Sequence, residues 1–245
     1  MPKIIWKNVG ETPLECLNRS RADLHIGESV PMTYAGRLDP MAEGKLLVLI
    51  GDECRKRDHY LGLAKEYRVR IVFGFRTDTH DALGLAERGG IIDVASLPVP
   101  FPGRFIQKYP PYSSKTVNGT PLHELARRDL LPEVLPEREV EIFSVTEESR
   151  GKISASELKR EIFGKIDLVK GDFRQGLIKA RWEDVLNNPT EVFPIIDLSI
   201  KCSSGTYMRS LAEDLGKISG SGAFAVSIVR TEIFMSSLPS RGHSD

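Results

Sequence analysis

An α+β fold is what this 245-residue chain predicts, and three observations predict it. Strand-like alternation recurs at widely separated places, helical spacing appears between them, and the two are mixed without the regular βαβ repeat of a parallel sheet. The run Lys45 to Ile50, bounded by Gly44 and Gly51, is apolar and short, which suits a strand buried on both faces. Tyr67, Val69, Ile71 and Phe73 alternate with Arg68, Arg70 and Val72, giving a strand whose apolar face opens with Tyr67. Thr120 followed by Pro121 reads as a helix start, with Leu122 to Arg128 as a short helix. A strand is expected near Val140 to Val145.

From Arg150 to Asn188 the pattern becomes helical. Leu158, Ile162, Ile166 and Val169 form one stripe and Phe173, Leu177, Ala180 and Trp182 a second, joined near Gly171. We read a helical hairpin inserted between two strands, with Ser154 or Ser156 as its cap. Ile196, Leu198, Ile200 and Cys202 then alternate with Asp197, Ser199 and Lys201 as another strand. Met208, Leu211, Leu215 and Ile218 recur at helical spacing until Gly220 and Gly222. Phe224, Val226 and Ile228 begin a last strand.

Composition excludes several classes. With 40% apolar and 28% charged residues the chain has an ordinary globular profile. No run approaches the roughly 18 apolar residues of a membrane helix, and the N-terminus lacks a leader pattern, so a cytoplasmic location without membrane contact is expected. Cys16, Cys54 and Cys202 are scattered and odd in number, which reads as free buried thiols. The histidines show no paired-ligand spacing, and no phosphate loop or nucleophile elbow is present, so neither a metal site nor hydrolase chemistry is expected. Arg76 to Asp81 clusters carboxylates, but Asp and Thr at such spacing more simply cap turns.

Thirty-four basic residues balance thirty-four acidic ones. Local charge is segregated: residues 101–128 carry Arg104, Lys108, Lys115, Arg127 and Arg128 against Glu124, whereas residues 129–148 are strongly acidic. This arrangement fits either a basic binding face or ordinary pairs made on folding.

The stretch YAGRLDPMAEG, Tyr34 to Gly44, sets Asp39 between a basic turn and a proline. On spacing alone Asp39 is either a cap for the element that follows or a reagent. Four segments resolve this by resemblance: YAGRLDPMAEGKLLVLIGDECRK, KEYRVRIVFGFRTDTHDALG, YPPYSSKTVNGTPLHELARR, and CSSGTYMRSLAEDLG with GAFAVSIVR. In this order and at these spacings the chain resembles the catalytic domain of the TruB-type tRNA pseudouridine synthases.

That resemblance implies a pseudouridine synthase fold, with a mixed, mostly antiparallel central sheet, flanking helices and an RNA-binding cleft. It implies an isomerase that converts uridine to pseudouridine in tRNA, most naturally at the T-loop uridine of the T-arm, working as a monomer with no cofactor. The alternatives are another tRNA position, another RNA, or a non-catalytic RNA-binding protein of the same fold. By position, Asp39 would be the catalytic carboxylate, attacking base or ribose. Arg209 would pair with it through two parallel hydrogen bonds, and Tyr67 would stack on the target base and assist removal of the C5 proton. Tyr207 and Ile228 would line the uracil pocket; Arg37, Arg55 and Lys115 would contact phosphates. Tyr34 stands where the family has histidine, and Arg37 where it has a small residue. Lys7 to Thr12 follows the family's N-terminal pattern in part. The expected organisation is one catalytic domain over residues 1–240 with the hairpin at about 150–188, a tail at 241–245 and no PUA domain. The hairpin, with nine basic against six acidic residues, is expected to hold the RNA stem through Lys170, Arg174 and Lys179.

Overall fold

The computed structural model describes residues 2–235. Its strands are β1 (Lys3–Lys7), β2 (Met32–Ala35), β3 (Ala42–Ile50), β4 (Lys65–Phe73), β5 (Phe75–Thr77), β6 (Ala86–Arg88), β7 (Gly103–Lys108), β8 (Thr116–Val117), β9 (Thr120–Pro121), β10 (Glu137–Ser154), β11 (Val192–Cys202) and β12 (Ala223–Ile233). Its α-helices are α1 (Pro13–Asp23), α2 (Arg57–Leu61), α3 (Leu122–Arg127), α4 (Ala155–Leu168), α5 (Gln175–Val185) and α6 (Met208–Ser219).

One eight-stranded sheet runs β1-β3-β12-β4-β11-β10-β7, with β2 on the second edge of β3. Every pairing in it is antiparallel except β3 with β12. The mostly antiparallel sheet expected from the sequence is therefore present. Period-two alternation divides the two faces. Val69, Ile71 and Phe73 of β4, with Ile196, Leu198 and Ile200 of β11, pack under Met208, Leu211, Ala212 and Leu215 of α6. Val72, Phe193, Phe224 and Val226 point the other way, against Leu158, Ile162 and Ile166 of α4 and Ile178 and Trp182 of α5. The four α6 side chains are each 5% exposed or less. Burying the three large ones contributes roughly 5 to 9 kcal/mol as an upper estimate.

Several sequence expectations need correction. The hairpin helices begin at Ala155, because residues 150–154 extend β10 and pair with β11. Ser154 caps α4 in a capping box with Glu157. Thr120 and Pro121 belong to β9 and precede α3, which has no side-chain cap. Cys54 is half-buried, while Cys16 and Cys202 are buried. The basic and acidic segments meet as surface pairs across β7 and β10, Arg104 with Glu141 at 3.2 Å and Lys108 with Glu137 at 4.0 Å. Among the described residues, no helix is long and apolar enough to cross a membrane.

Candidate active site

Asp39 sits in the loop between β2 and β3. No helix follows it: Ala42 N–H donates to the Asp39 carbonyl at 3.0 Å and the chain passes directly into β3, which removes the capping alternative. Two buried cations hold this loop by its carbonyls. Arg230, fully buried on β12, donates from Nη2 to Gly36 O at 3.2 Å, from Nη1 to Arg37 O at 3.3 Å and from Nε to Lys45 O at 2.5 Å. Lys7, fully buried on β1, donates to Ala42 O at 2.6 Å. Gly10 N–H adds a bond to Pro40 O at 2.8 Å.

Arg209, in the first turn of α6, reaches the Asp39 carboxylate. Its Nε donates to Asp39 Oδ2 at 2.8 Å. The pair is held by this single hydrogen bond, a correction to the expected parallel two. The remaining donors are directed elsewhere, Nη1 to Thr79 O at 2.7 Å and Nη2 to Tyr112 O at 3.2 Å. A second carboxylate, Asp81, approaches Nε at 3.5 Å. The two acids differ in access: the Asp39 side chain is 36% exposed and that of Asp81 is 6% exposed. Asp81 accepts from Thr79 Oγ1 at 2.7 Å and Leu83 N–H at 2.9 Å. Burial raises its pKa despite Arg209. The Arg76 to Asp81 cluster thus does turn-capping work, with Asp78 accepting from Leu85 N–H at 2.7 Å.

These groups open on a cavity of about 620 Å³, the size of a small-molecule site. Asp39, Arg37, Tyr67, Tyr207, Arg209 and Ile228 all line it. Tyr67 is 8% exposed, and burial pushes its phenol up. Burial pushes the Tyr207 phenol up to about 12. Its backbone is clamped by Gln107 of β7, which accepts from Tyr207 N–H at 2.8 Å and donates to Tyr207 O at 3.1 Å. Lys65, 4% exposed, lines the cavity with Nζ bonded to Leu63 O at 2.6 Å and Leu61 O at 3.2 Å. Burial lowers its pKa to about 8. His80 is neutral, its pKa lowered to about 3 by burial and then by Arg209.

Three expected site residues lie off the cavity. Tyr34 is half-buried on β2, where its carbonyl accepts from Arg57 Nε at 3.2 Å. Arg55 lines a separate shallow depression with Lys56, Asp58, His59 and Tyr60. Lys115 stands over the Tyr109 ring at 5.3 Å, and Tyr109 in turn meets Tyr207 edge to face at 5.7 Å. Of the hairpin cations, Arg174 is paired with Asp78 at 2.9 Å and Lys179 with Asp167. Neither is free for a phosphate in this arrangement, and Lys170 alone of the three is exposed. Sequence reasoning missed Asp81, Lys65, Arg230, Gln107, Tyr112 and Arg138, all of which except Gln107 line the cavity. Lys65, Asp81, Tyr112 and Arg230 stand inside the resembling segments without a role attached to them, whereas Gln107 and Arg138 lie outside those segments.

The chain is similar to known proteins in sequence and in fold. Residues 28–158 match the model of the TruB family pseudouridylate synthases, N-terminal domain. The chain is 31% identical over 231 residues to a tRNA pseudouridine synthase B of Nostoc sp. (strain PCC 7120), covering 92% of this chain and 64% of that protein. It is 33% identical over 203 residues to a tRNA pseudouridine synthase B of Xanthomonas campestris pv. campestris (strain 8004), covering 80% and 52%. The chain thus spans between about half and two thirds of the length of these relatives. In fold it resembles a chain of the crystal structure of a Cbf5-Nop10-Gar1 complex, with a TM-score of 0.54 at 17% identity over 94% of this chain and 48% of that one. A family match over more than half of the sequence makes this chain a member of the TruB family of pseudouridylate synthases.

Proposed function

We propose that this chain isomerises a uridine of tRNA to pseudouridine, at the T-loop position of the T-arm, with Asp39 as the catalytic carboxylate. One observation carries the reading: a single half-open carboxylate, ion-paired to a buried arginine, at the wall of a cavity large enough for one nucleoside. The base must leave its stack to reach such a group, since the reacting atoms are inaccessible inside a folded loop. The reaction breaks the N1–C1′ bond, turns the uracil and joins C5 to C1′; the C5 proton leaves and N1 takes up a proton, so that the product is an isomer of the substrate.

The geometry supports a role for each of these residues in that reading. Arg209 keeps the Asp39 oxygen oriented through a charge-assisted hydrogen bond. Tyr67 offers a ring for stacking and a phenol at the cavity wall, placed to help remove the C5 proton. Ile228 and Tyr207 enclose the base. A non-catalytic RNA-binding role has no need for a cavity built around an ion-paired carboxylate.

The test uses the purified protein and an unmodified tRNA transcript carrying tritium at the uridine C5. Tritium should be released with one equivalent of pseudouridine, mapped to the T-loop. Asp39→Asn should abolish release and keep RNA affinity within a few-fold. Residual turnover above about a thousandth of wild type would remove Asp39 from the nucleophilic role.

A further inference from the structure

The turn between α4 and α5 breaks three local rules at Arg174. Its φ is +63°, a left-handed value for a bulky residue. It is the N-cap of α5 yet offers no capping oxygen, and it puts a cation at the positive end of a helix. Such a conflict between sequence and local structure points to a duty elsewhere.

The contacts of Arg174 show what that duty is. Its Nη2 bonds to Asp78 Oδ2 at 2.9 Å, and its guanidinium lies over the Tyr112 ring at 4.9 Å from the centroid. The carbonyl of Tyr112 is the acceptor for Arg209 Nη2, and Arg209 holds Asp39. The chain of contacts is unbroken from the hairpin to the reactive carboxylate. A second pin runs beside it: Arg127 lies over the Phe173 ring at 5.7 Å. The turn itself is braced, with Gln175 accepting from Phe173 N–H at 2.9 Å and donating to Gly171 O at 2.7 Å. Its other end is wedged against the N-terminal loop, where no Cβ would fit at Gly10 because Leu168 O lies 2.3 Å from it.

We propose that Arg174 is a positioning residue: the turn between α4 and α5 fixes the Tyr112 segment against Arg209 and thereby sets the Asp39–Arg209 geometry. The inference rests on the catalytic reading above, but one of its measurements does not need activity. Leu122 N–H to Lys115 O at 2.8 Å and His123 N–H to Ser113 O at 3.1 Å fasten the Tyr112 segment to itself. Those amides report whether the segment is pinned.

The experiment compares wild type with Arg174→Ala, Arg174→Lys and Tyr112→Ala, alone and with Arg174→Ala. Amide exchange at Leu122 and His123 should accelerate in Arg174→Ala while β4 and β11 stay protected. The single-turnover rate at saturating tRNA should fall about tenfold with the dissociation constant within threefold, as expected of misplacement rather than lost binding. Arg174→Lys, which keeps the charge toward Asp78 but loses the planar ring contact, should recover the rate in part. In the Tyr112→Ala background, Arg174→Ala should slow the reaction no further. An unchanged rate in a folded Arg174→Ala protein overturns the proposal whatever the exchange shows. So does a weakened, less salt-dependent affinity with a normal rate, which would make Arg174 a phosphate contact. If wild type forms no pseudouridine, the functional reading fails on its own, and exchange at the two amides still decides whether Arg174 pins the segment.

Discussion

Gly44→Ala should damage both the fold and the site, and a neighbouring glycine supplies the control. Gly44 closes the parallel contact of β3 with β12, where it is in register with Arg230. Its φ is +115°, and an added Cβ would stand 2.4 Å from Arg230 O, 2.7 Å from its N and 2.9 Å from its carbonyl carbon. All three are backbone atoms, so no side-chain rotation relieves the clash and the strands must part. The backbone conformation costs an L-residue about 1 to 3 kcal/mol. Overpacking adds about 1 to 3 kcal/mol more. Gly51, at the other end of β3, has φ +64° with nothing within 4 Å of its Cβ position. Gly51→Ala should therefore cost only the conformational part, about 1 to 2 kcal/mol. Urea unfolding followed by circular dichroism gives both values. Single-turnover kinetics should then show Gly44→Ala slowed about tenfold or more, because the displaced Arg230 carries the carbonyls of Gly36 and Arg37 with it. If the two variants lost the same stability within about 1 kcal/mol, the close-contact argument would be wrong.

Two further outcomes follow from the buried groups. Tyr67→Phe removes the phenol and keeps the ring, so RNA affinity should hold while the single-turnover rate falls about a hundredfold; normal turnover would take proton handling away from Tyr67. Lys65 titrates near 8 in the folded chain against an ordinary 10.5, so between those values the unfolded chain holds more protons and stability rises with pH. The stability of wild type relative to Lys65→Met should improve from pH 8 to pH 10 by about 2 kcal/mol, read from urea midpoints. A difference that does not change with pH would mean that Lys65 stays protonated in the fold, as an ordinary lysine does.

What the sequence showed and what it hid have a common cause. Alternation at Tyr67 to Phe73 and Ile196 to Cys202, and helical spacing at Met208 to Leu215, are legible because burial on one face of a periodic element writes a period into the residues, although Ile218, read as part of that stripe, is exposed. Short elements write none. Thr12 with Pro13 and Glu15 is a capping box that starts α1, a signal present in the sequence and passed over. Asn118-Gly119, both with positive φ, turns β8 into β9, where the pair serves as a tight hairpin turn. The site was legible only where a motif carried it. Asp39, Arg209, Tyr67, Tyr207 and Ile228 were found because the resemblance named them. Lys65, Arg230 and Gln107 were not: Lys65 and Arg230 stand inside the resembling segments, but no local pattern tells that their charges are buried against backbone carbonyls, and Gln107 lies outside those segments.

That last class explains why the loop around Asp39 tolerates what it does. Arg37 stands where the family has a small residue, yet the loop holds its shape. Its carbonyls at Gly36, Arg37 and Ala42 receive Arg230 and Lys7, and its Pro40 carbonyl receives Gly10 N–H. Carbonyl acceptors are independent of the side chain they accompany. The cations impose geometry on the backbone, so the side chain at position 37 is free to face the cavity. Asp39 is different, because its own carboxylate completes the set of acceptors around Arg209. Asp81 meets the same guanidinium from the buried side, and Thr79 and Tyr112 take the remaining donors. Every donor nitrogen of Arg209 is thus engaged, and of its two carboxylate partners Asp39 is the more exposed. An arginine held by three other acceptors presents Asp39 at a set angle, which is the preorganisation that the proposed reagent role requires.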